Sequence, residues 1–160
     1  MPLVSPFETS FGRETDRECI LITIYSEGLI GYGECVASRD PGYNYETTGT
    51  ALHILKEFIT PLILGKNIKD ALDFQERVSG IRGHHLAKAG VEMALWDLLG
   101  KREGKSLREL LGGVREKVEV GVSIGIQESA HSLVRSAAGY VKQGYARVKI
   151  KIKPGRDVED

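Results

Sequence analysis

The sequence has no long apolar run, no excess of one charge and no cluster of cysteines. Its apolar runs all fall short of the ~20 residues that a membrane-spanning helix needs. The start of the chain has neither the basic region nor the long apolar stretch of a signal peptide. The 22 basic residues are balanced by 22 acidic ones, which argues against a general affinity for nucleic acid or an anionic membrane. These absences favour a cytoplasmic protein with neither a membrane nor a nucleic-acid partner.

Several chemical signatures are also weak. Cys19 and Cys35 are the only cysteines, and they lack the spacing of zinc ligands. They are typical of buried, reduced thiols, although a disulfide between them is possible in principle. "GYGEC" (31–35) contains GxG after a strand, but no GxGxxG follows, so it is weak evidence for a nucleotide site. No spacing typical of a Ser-His-Asp triad stands out.

The first two thirds of the chain predict one hairpin followed by helices. Alternating apolar residues and the Glu27-Gly28 turn predict a hairpin within residues 17–35, and the Gly- and Pro-rich stretch 36–47 predicts a loop. Apolar residues at helical spacing predict helices over 46–59, 69–79 and 85–104. Ser106 and Glu109 form a capping-box pattern that opens a short further helix. Residues up to about 113 therefore form an α+β segment.

The pattern changes after residue 113. Residues 117–125 and 145–155 are rich in Val and Ile, and an amphipathic helix ending at Gly144 lies between them. Strand, helix and strand at this length predict a parallel pair joined by a right-handed crossover. Because two parallel strands cannot bury both faces of their sheet, this second segment is expected to be incomplete.

The second of these strands carries four cations on one face. In "RVKIKIKPG" (147–155), Arg147, Lys149, Lys151 and Lys153 alternate with apolar residues. The pattern alone favours an edge strand whose lysines face solvent and discourage aggregation. The strand–helix–strand context instead favours side chains that face the interior of the protein. Lys149 and Lys151 would then lie ~7 Å apart along the strand. Such closely spaced charges favour the neutral amine that a general base needs.

Three features of the predicted long helix have structural explanations. Arg82, His84 and His85 are typical of a polar helix start, since adjacent histidines do not face one another on a helix. Asp97 is best explained by a structural hydrogen bond within an apolar helix. Gly90 costs ~1 kcal/mol relative to Ala inside a helix, and close packing is a reason for it.

Four stretches together resemble the enolase superfamily, and within it the muconate-lactonizing subgroup. They are "GYGECVA", "RGHHLAKAGVEMALWDLLGK", "GVSIGIQ" and "RVKIKIKPGRD". Within the subgroup they are most similar to the o-succinylbenzoate synthases and N-succinylamino acid racemases. The resemblance implies an α+β capping domain over 1–113, lacking its first strand, and the start of a truncated TIM-type barrel over 114–160.

The resemblance also implies roles for individual residues. Lys151, the second lysine of K-x-K, would be the acid/base that moves the proton next to the substrate carboxylate. Lys149 would tune it electrostatically, and Ser123 would border the substrate. The loops 4–12 and 36–45 would close over the substrate, with Phe7 and Tyr43 as their substrate-binding residues.

The implied reaction is abstraction of a proton alpha to a carboxylate, with a divalent metal, Mg²⁺ or Mn²⁺, stabilising an enediolate. Loss of water then yields o-succinylbenzoate for menaquinone synthesis, or a second lysine on the opposite face returns the proton in a racemase. The metal ligands are expected beyond residue 160. The chain is therefore expected to be an inactive fragment of an enzyme that acts on a small carboxylate and forms a homo-oligomer.

Two alternatives stay open at this point. A dipeptide epimerase or a muconate cycloisomerase shares the capping domain and the K-x-K motif. The other alternative is a non-enzymatic module that binds anions through the basic strand. It predicts salt-sensitive binding to polyanions, and the zero net charge counts against it.

Overall fold

The computed structural model describes residues 1–155. Its contacts group the chain into two compact units: Met1–Arg17 together with the residues from Arg115 onward, and Glu18–Val114. The predicted domains 1–113 and 114–160 concern family architecture and stay predictions.

The chain begins with an antiparallel hairpin. Strand β1 (Pro2–Thr9) pairs with β2 (Gly12–Asp16), and the register shifts between Pro2 and Phe7. The loop expected over 4–12 is therefore wrong in its conformation, since most of it is strand. Pro6 made this strand hard to predict from the sequence. Proline has no N–H to donate to a neighbouring strand, so within sheets it is found mainly on edge strands and at irregularities.

The second unit opens with the predicted hairpin, which is confirmed. Strands β3 (Ile20–Ser26) and β4 (Leu29–Cys35) pair antiparallel over their full length. The turn between them has positive φ at both Glu27 (50°) and Gly28 (79°). Two such residues fit the turns whose twist matches that of the flanking strands.

The predicted helices are also present. α1 (Thr48–Ile54) continues through a π-helical segment (Leu55–Ile59) into α2 (Thr60–Ile63). α3 (Ala71–Arg77), α4 (His85–Glu103) and α5 (Leu107–Leu110) follow. The capping box of α5 is confirmed, since the Ser106 hydroxyl accepts from the Glu109 N–H and the Glu109 carboxylate accepts from the Ser106 N–H.

The core of this unit depends on how closely β4 approaches α4. A Cβ added at Gly33 would overlap the Gly90 carbonyl oxygen and lie 2.8 Å from the Ala94 nitrogen. A Cβ at Gly90 would lie 2.7 Å from Ile22 Cδ1 and 3.1 Å from Cys35 Cβ. The close packing expected at Gly90 is confirmed, and the GxG of β4 serves the same contact.

The buried residues around this contact come from both strands and from the helices that cover them. They include Cys35, Ala37, Ala51, Leu55, Ile59, Phe74, Val78, Ala87 and Val91. Within residues 1–155, neither Cys19 nor Cys35 forms a disulfide. Burial raises the pKa of the Cys35 thiol, which favours the protonated, unreactive form.

Two side chains of α4 form hydrogen bonds with backbone groups of β4. The Asp97 carboxylate accepts a hydrogen bond from the Tyr32 N–H at 2.8 Å and another from Lys101 Nζ at 2.7 Å. Lys101 also donates to the Ile30 carbonyl at 2.7 Å. The structural role expected for Asp97 is confirmed, since its carboxylate satisfies the Tyr32 N–H on β4, whose one strand partner among the described residues is β3.

The rest of the first unit is the predicted strand–helix–strand motif. β5 (Gly121–Ile124) and β6 (Arg147–Ile150) pair in parallel, with α6 (Ala130–Lys142) between them in sequence. Both strands are shorter than the predicted 117–125 and 145–155. The paired residues run only from Gly121 opposite Arg147 to Ile124 opposite Ile150, and a strand extends only as far as its partner.

The Gly33→Ala substitution should destabilise the unit Glu18–Val114. The added methyl group would force β4 away from α4, because the atoms it meets are backbone atoms that cannot rotate aside. We expect a loss of about 2–3 kcal/mol in the free energy of unfolding, measured by urea titration with Trp96 fluorescence. Gly42→Ala, where nothing lies within 4 Å of the added Cβ, is the matched control. Equal stability of the two variants would contradict the packing argument.

Asp97 should make this unit sensitive to acid. The hydrogen bond from Lys101, supported by the Tyr32 N–H, holds the pKa of Asp97 below its usual range. Since the folded pKa is depressed, the stabilisation is complete above the unfolded pKa of about 4 and is lost as pH falls through the folded value.

Asp97→Asn should therefore cost about 1 kcal/mol at pH 7, because the carboxylate is partly exposed. Its stability should converge with that of the unaltered chain as pH falls below 4. Urea titrations at several pH values measure this difference. Asp40→Asn, at an exposed position, should show no such convergence. A gap for Asp97→Asn that stays constant with pH would count against the assigned contacts.

Candidate functional site

The predicted catalytic lysines lie where the two parallel strands end. Ser123 on β5 is the register partner of Lys149 on β6. Lys151 follows β6 directly, and its N–H still donates to the Ile124 carbonyl at 3.1 Å. Because side chains alternate along a strand, Lys149 and Lys151 share the face that carries Ser123. The structure therefore brings these three predicted residues to one end of the parallel pair.

The side chain of Lys151 lies against an aromatic ring from the first hairpin. Its Nζ is 5.3 Å from the centroid of the Phe7 ring, within the ~6 Å range of cation–π contacts. Phe7 and Lys151 are both half-buried. The structure thus places Phe7, predicted as a substrate-binding residue, beside the predicted base.

The neighbour of Phe7 fastens β1 to the ends of both parallel strands. The Glu8 carbonyl accepts from the Ile126 N–H at 3.0 Å, and the Glu8 carboxylate pairs with Lys153 Nζ at 2.8 Å. A Cβ added at Gly125 would lie 3.3 Å from both the Glu8 oxygen and Phe7 Cδ2. The glycine therefore gives β1 room to approach.

The four cations of the basic strand have different surroundings. Arg147 and Lys149 are exposed, as the edge-strand interpretation predicts, whereas Lys151 and Lys153 are half-buried. Neither interpretation of the sequence describes the whole run. Sequence analysis missed the part played by Glu8, because 145 residues separate it from Lys153 and no local pattern links them.

The second predicted substrate segment, 36–45, belongs to the unit Glu18–Val114. The segment is closed at its base by a bridge between Ser38 and Thr47, in which the Thr48 N–H donates to the Ser38 carbonyl at 2.9 Å. Tyr43 is 84% exposed within it. The predicted loop conformation is confirmed, and the substrate-binding role of Tyr43 stays a prediction.

Glu46, at the end of this segment, is buried and was not singled out by sequence analysis. Its carboxylate accepts hydrogen bonds from the Leu86 N–H at 2.9 Å and the Ala87 N–H at 3.1 Å, so it caps the N-terminus of α4. His84 occupies the cap position with φ of 53° and makes no side-chain cap bond. The polar helix start predicted from Arg82, His84 and His85 is confirmed, but a distant carboxylate supplies the cap.

The described residues offer no site for a metal ion. Within residues 1–155, no three His, Cys, Asp or Glu side chains form a group that could hold one, so they do not fit the divalent metal that the resemblance implies. The part of the chain with described coordinates also contains no helix long and apolar enough to cross a membrane. A groove of about 790 Å³ with a mixed polar and apolar lining runs along β3, and its lining includes none of the predicted site residues.

Comparison with known proteins gives a consistent family match. The family model for the mandelate racemase / muconate lactonizing enzyme N-terminal domain matches residues 1–112. The chain is 45% identical to an o-succinylbenzoate synthase of Geobacillus kaustophilus and 44% identical to an N-succinylamino acid racemase of Thermus thermophilus. Each alignment covers 99% of this chain but 43% of the relative. The chain thus spans less than half the length of these relatives.

Solved structures agree with this match. An enolase superfamily member from Listeria innocua superposes with a TM-score of 0.89 at 42% identity, covering 98% of this chain and 43% of that one. A dipeptide epimerase from Enterococcus faecalis, solved with Mg and the dipeptide L-Leu-L-Tyr, gives a TM-score of 0.84 at 27% identity, covering 96% and 43%.

Glu46→Ala should destabilise the unit Glu18–Val114 by about 2 kcal/mol. The substitution leaves the first N–H groups of α4 without their charged acceptor and removes a carboxylate from a helix N-terminus. Urea titration followed by Trp96 fluorescence measures the loss, and Glu46→Gln should show a smaller one. Glu57→Gln, at an exposed helical position, is the control. A stability loss no larger than that of the control would contradict the capping role.

Proposed function

The chain belongs to the mandelate racemase / muconate lactonizing enzyme family of the enolase superfamily, and we propose that it supplies the base of a proton-transfer enzyme. The reaction is removal of a proton alpha to a substrate carboxylate. The observation that carries the proposal is Lys151, half-buried against Phe7 at the end of a parallel strand, with Lys149 and Ser123 on the same face.

This position suits a general base. In TIM-type barrels the catalytic groups stand at the carboxyl ends of the strands, and Lys151 directly follows β6. Lys153 has a structural task instead, since Glu8 pairs with its ammonium group.

In the proposed step, the neutral amine of Lys151 takes the α-proton and becomes an ammonium group. The electron pair of the broken C–H bond stays on the substrate and spreads into its carboxylate. Ser123 borders the substrate on the same strand face. Proton transfer requires the Lys151 amine nitrogen to come within about 3 Å of the substrate α-carbon. This requirement restricts the orientation in which the substrate can bind.

We assign the reaction to an o-succinylbenzoate synthase or N-succinylamino acid racemase, on the strength of the 45% and 44% identities. The synthase loses water after the proton and serves menaquinone formation, whereas the racemase returns the proton from the opposite face. When bound, Mg²⁺ supplies charge stabilisation at the carboxylate, in keeping with the Mg in the epimerase neighbour. Its ligands are proposed to lie on later barrel strands, beyond residue 160.

The alternatives have less support. The epimerase neighbour is 27% identical, below the identity to the synthase and racemase relatives. An anion-binding module would need the basic strand to present its charges together. Glu8 neutralises Lys153, and Lys151 lies against a ring, so only part of the run faces solvent.

Lys151→Ala should strongly slow proton transfer in the full-length enzyme that carries this sequence. Loss of the general base should slow α-proton exchange by about 10²–10⁴-fold, because the substitution removes the amine that takes the proton. Incubating N-succinylphenylalanine and the enzyme in D₂O with Mg²⁺, and following the α-proton signal by ¹H NMR, measures the exchange. Formation of o-succinylbenzoate is followed in a parallel assay.

Lys142→Ala removes an exposed lysine at the end of α6 and serves as the matched control. It should keep the activity of the unaltered enzyme. Circular dichroism should show the same thermal unfolding for all three proteins. Full exchange activity in Lys151→Ala, toward both enantiomers of the substrate, would exclude the role assigned to this lysine.

A further inference from the structure

Resting on the proposed function, we infer that Phe7 is a positioning residue that holds the amine of Lys151 for proton transfer, and that the Glu8–Lys153 ion pair holds Phe7 in place. Phe7 thereby acts on the base, in addition to any contact it makes with substrate. The inference concerns contacts within one compact unit, formed by the first hairpin and the β5–α6–β6 motif.

The Phe7 ring is in direct contact with the amine of Lys151. A lysine side chain has four rotatable bonds, so its amine samples many positions unless a neighbour restricts it. Lys151 Nζ lies 5.3 Å from the centroid of the Phe7 ring, where the negative face of an aromatic ring attracts a cation. Lys149, on the same strand face, is exposed. The ring thus singles out one of the two lysines.

Strand β1 is held at Glu8, the residue after Phe7, by bonds to the segments that follow β5 and β6. Glu8 bonds through its carbonyl to Ile126 and through its carboxylate to Lys153. These two partners follow β5 and β6, so Glu8 is tied to the ends of both strands. A Cβ added at Gly125 would lie 3.3 Å from Phe7 Cδ2, so the ring packs closely against the backbone at Gly125. The ring therefore has little freedom to move away from Lys151.

Charged residues flank Lys151 in the basic segment. Lys149 precedes it on β6, and Lys153 follows it and pairs with Glu8 on β1. Because Glu8 pairs with Lys153, the positive charge of Lys153 is offset locally. The ring then stabilises the ammonium group that Lys151 becomes after it takes the α-proton. It keeps that group at the place from which the proton left the substrate.

If Phe7 positions Lys151, a change at Phe7 should affect the two substrate enantiomers differently, whereas a general loss of stability would affect both equally. Lys151 serves one face of the substrate, and in a racemase a second lysine serves the other. A change at Phe7 should therefore slow exchange of only the enantiomer whose α-proton faces Lys151. Small misplacements of a reacting group can cost large factors in rate, up to about 10²-fold.

The experiment compares Phe7→Leu with Phe7→Tyr in the full-length enzyme with Mg²⁺. Leucine keeps the apolar bulk and removes the ring, whereas tyrosine keeps the ring. Exchange of the α-proton of each enantiomer of N-succinylphenylalanine is followed in D₂O by ¹H NMR. We expect Phe7→Leu to slow one enantiomer about tenfold and leave the other within about twofold, while Phe7→Tyr, which keeps the ring, slows that same enantiomer less than Phe7→Leu does.

Glu8→Gln provides a second, independent variant. It weakens the pair with Lys153 and keeps the ring, so it should slow the same enantiomer by about threefold. Phe58→Leu, a half-exposed phenylalanine on the π-helical segment, is the control for loss of a ring elsewhere. If Phe7→Leu does not fold by circular dichroism, the enantiomer preference of Glu8→Gln decides the question.

Three outcomes would overturn the inference. Equal slowing of both enantiomers with a raised KM would make Phe7 a substrate contact only. Unchanged exchange of both enantiomers in Phe7→Leu would show that the ring does not position Lys151. Absence of exchange in the unaltered enzyme would overturn the proposed function itself, and the positioning role with it, so the two failures are distinguishable.

Discussion

The unit Glu18–Val114 depends on the close approach of strand β4 to helix α4. A Cβ at Gly33 would overlap the Gly90 carbonyl, and a Cβ at Gly90 would press on Ile22 and Cys35. This approach brings Asp97 and Lys101 within reach of the outer edge of β4. It also places Cys35 in the core that β3, β4 and the helices share. Glycines on both sides of this approach therefore allow a two-stranded sheet to pack one face against α4 and to have hydrogen-bond partners along one edge.

In the other unit, the first hairpin supports the lysines of the parallel strands. Phe7 lies over Lys151, and Glu8 pairs with Lys153, so consecutive residues of β1 contact alternate residues of the basic segment. The arrangement explains why four cations alternate along one segment of the chain. Two of them face solvent, one holds the hairpin, and one is the proposed base.

Sequence reasoning succeeded where the pattern is local. The hairpin, α4 and the parallel motif each follow from the periodicity of consecutive residues and their turn or cap signals. It failed for β1, where Pro6 masks a strand that its partner β2 makes possible. It also overestimated β5 and β6, because the length of a strand depends on how far its partner runs. The GxG of β4 looked like a weak nucleotide motif until α4 showed why no side chain fits there.

By itself, the sequence determined the order and type of most elements, the K-x-K pair and the resemblance that led to the family, since all of these are properties of neighbouring residues. Only the tertiary structure decided which lysine is half-buried beside a ring, which is exposed and which is paired. It also decided that Glu46 caps a helix that begins about 40 residues later. The physical reason is the same in each case: burial, hydrogen bonding and charge pairing depend on the partner, and these partners are distant in the chain.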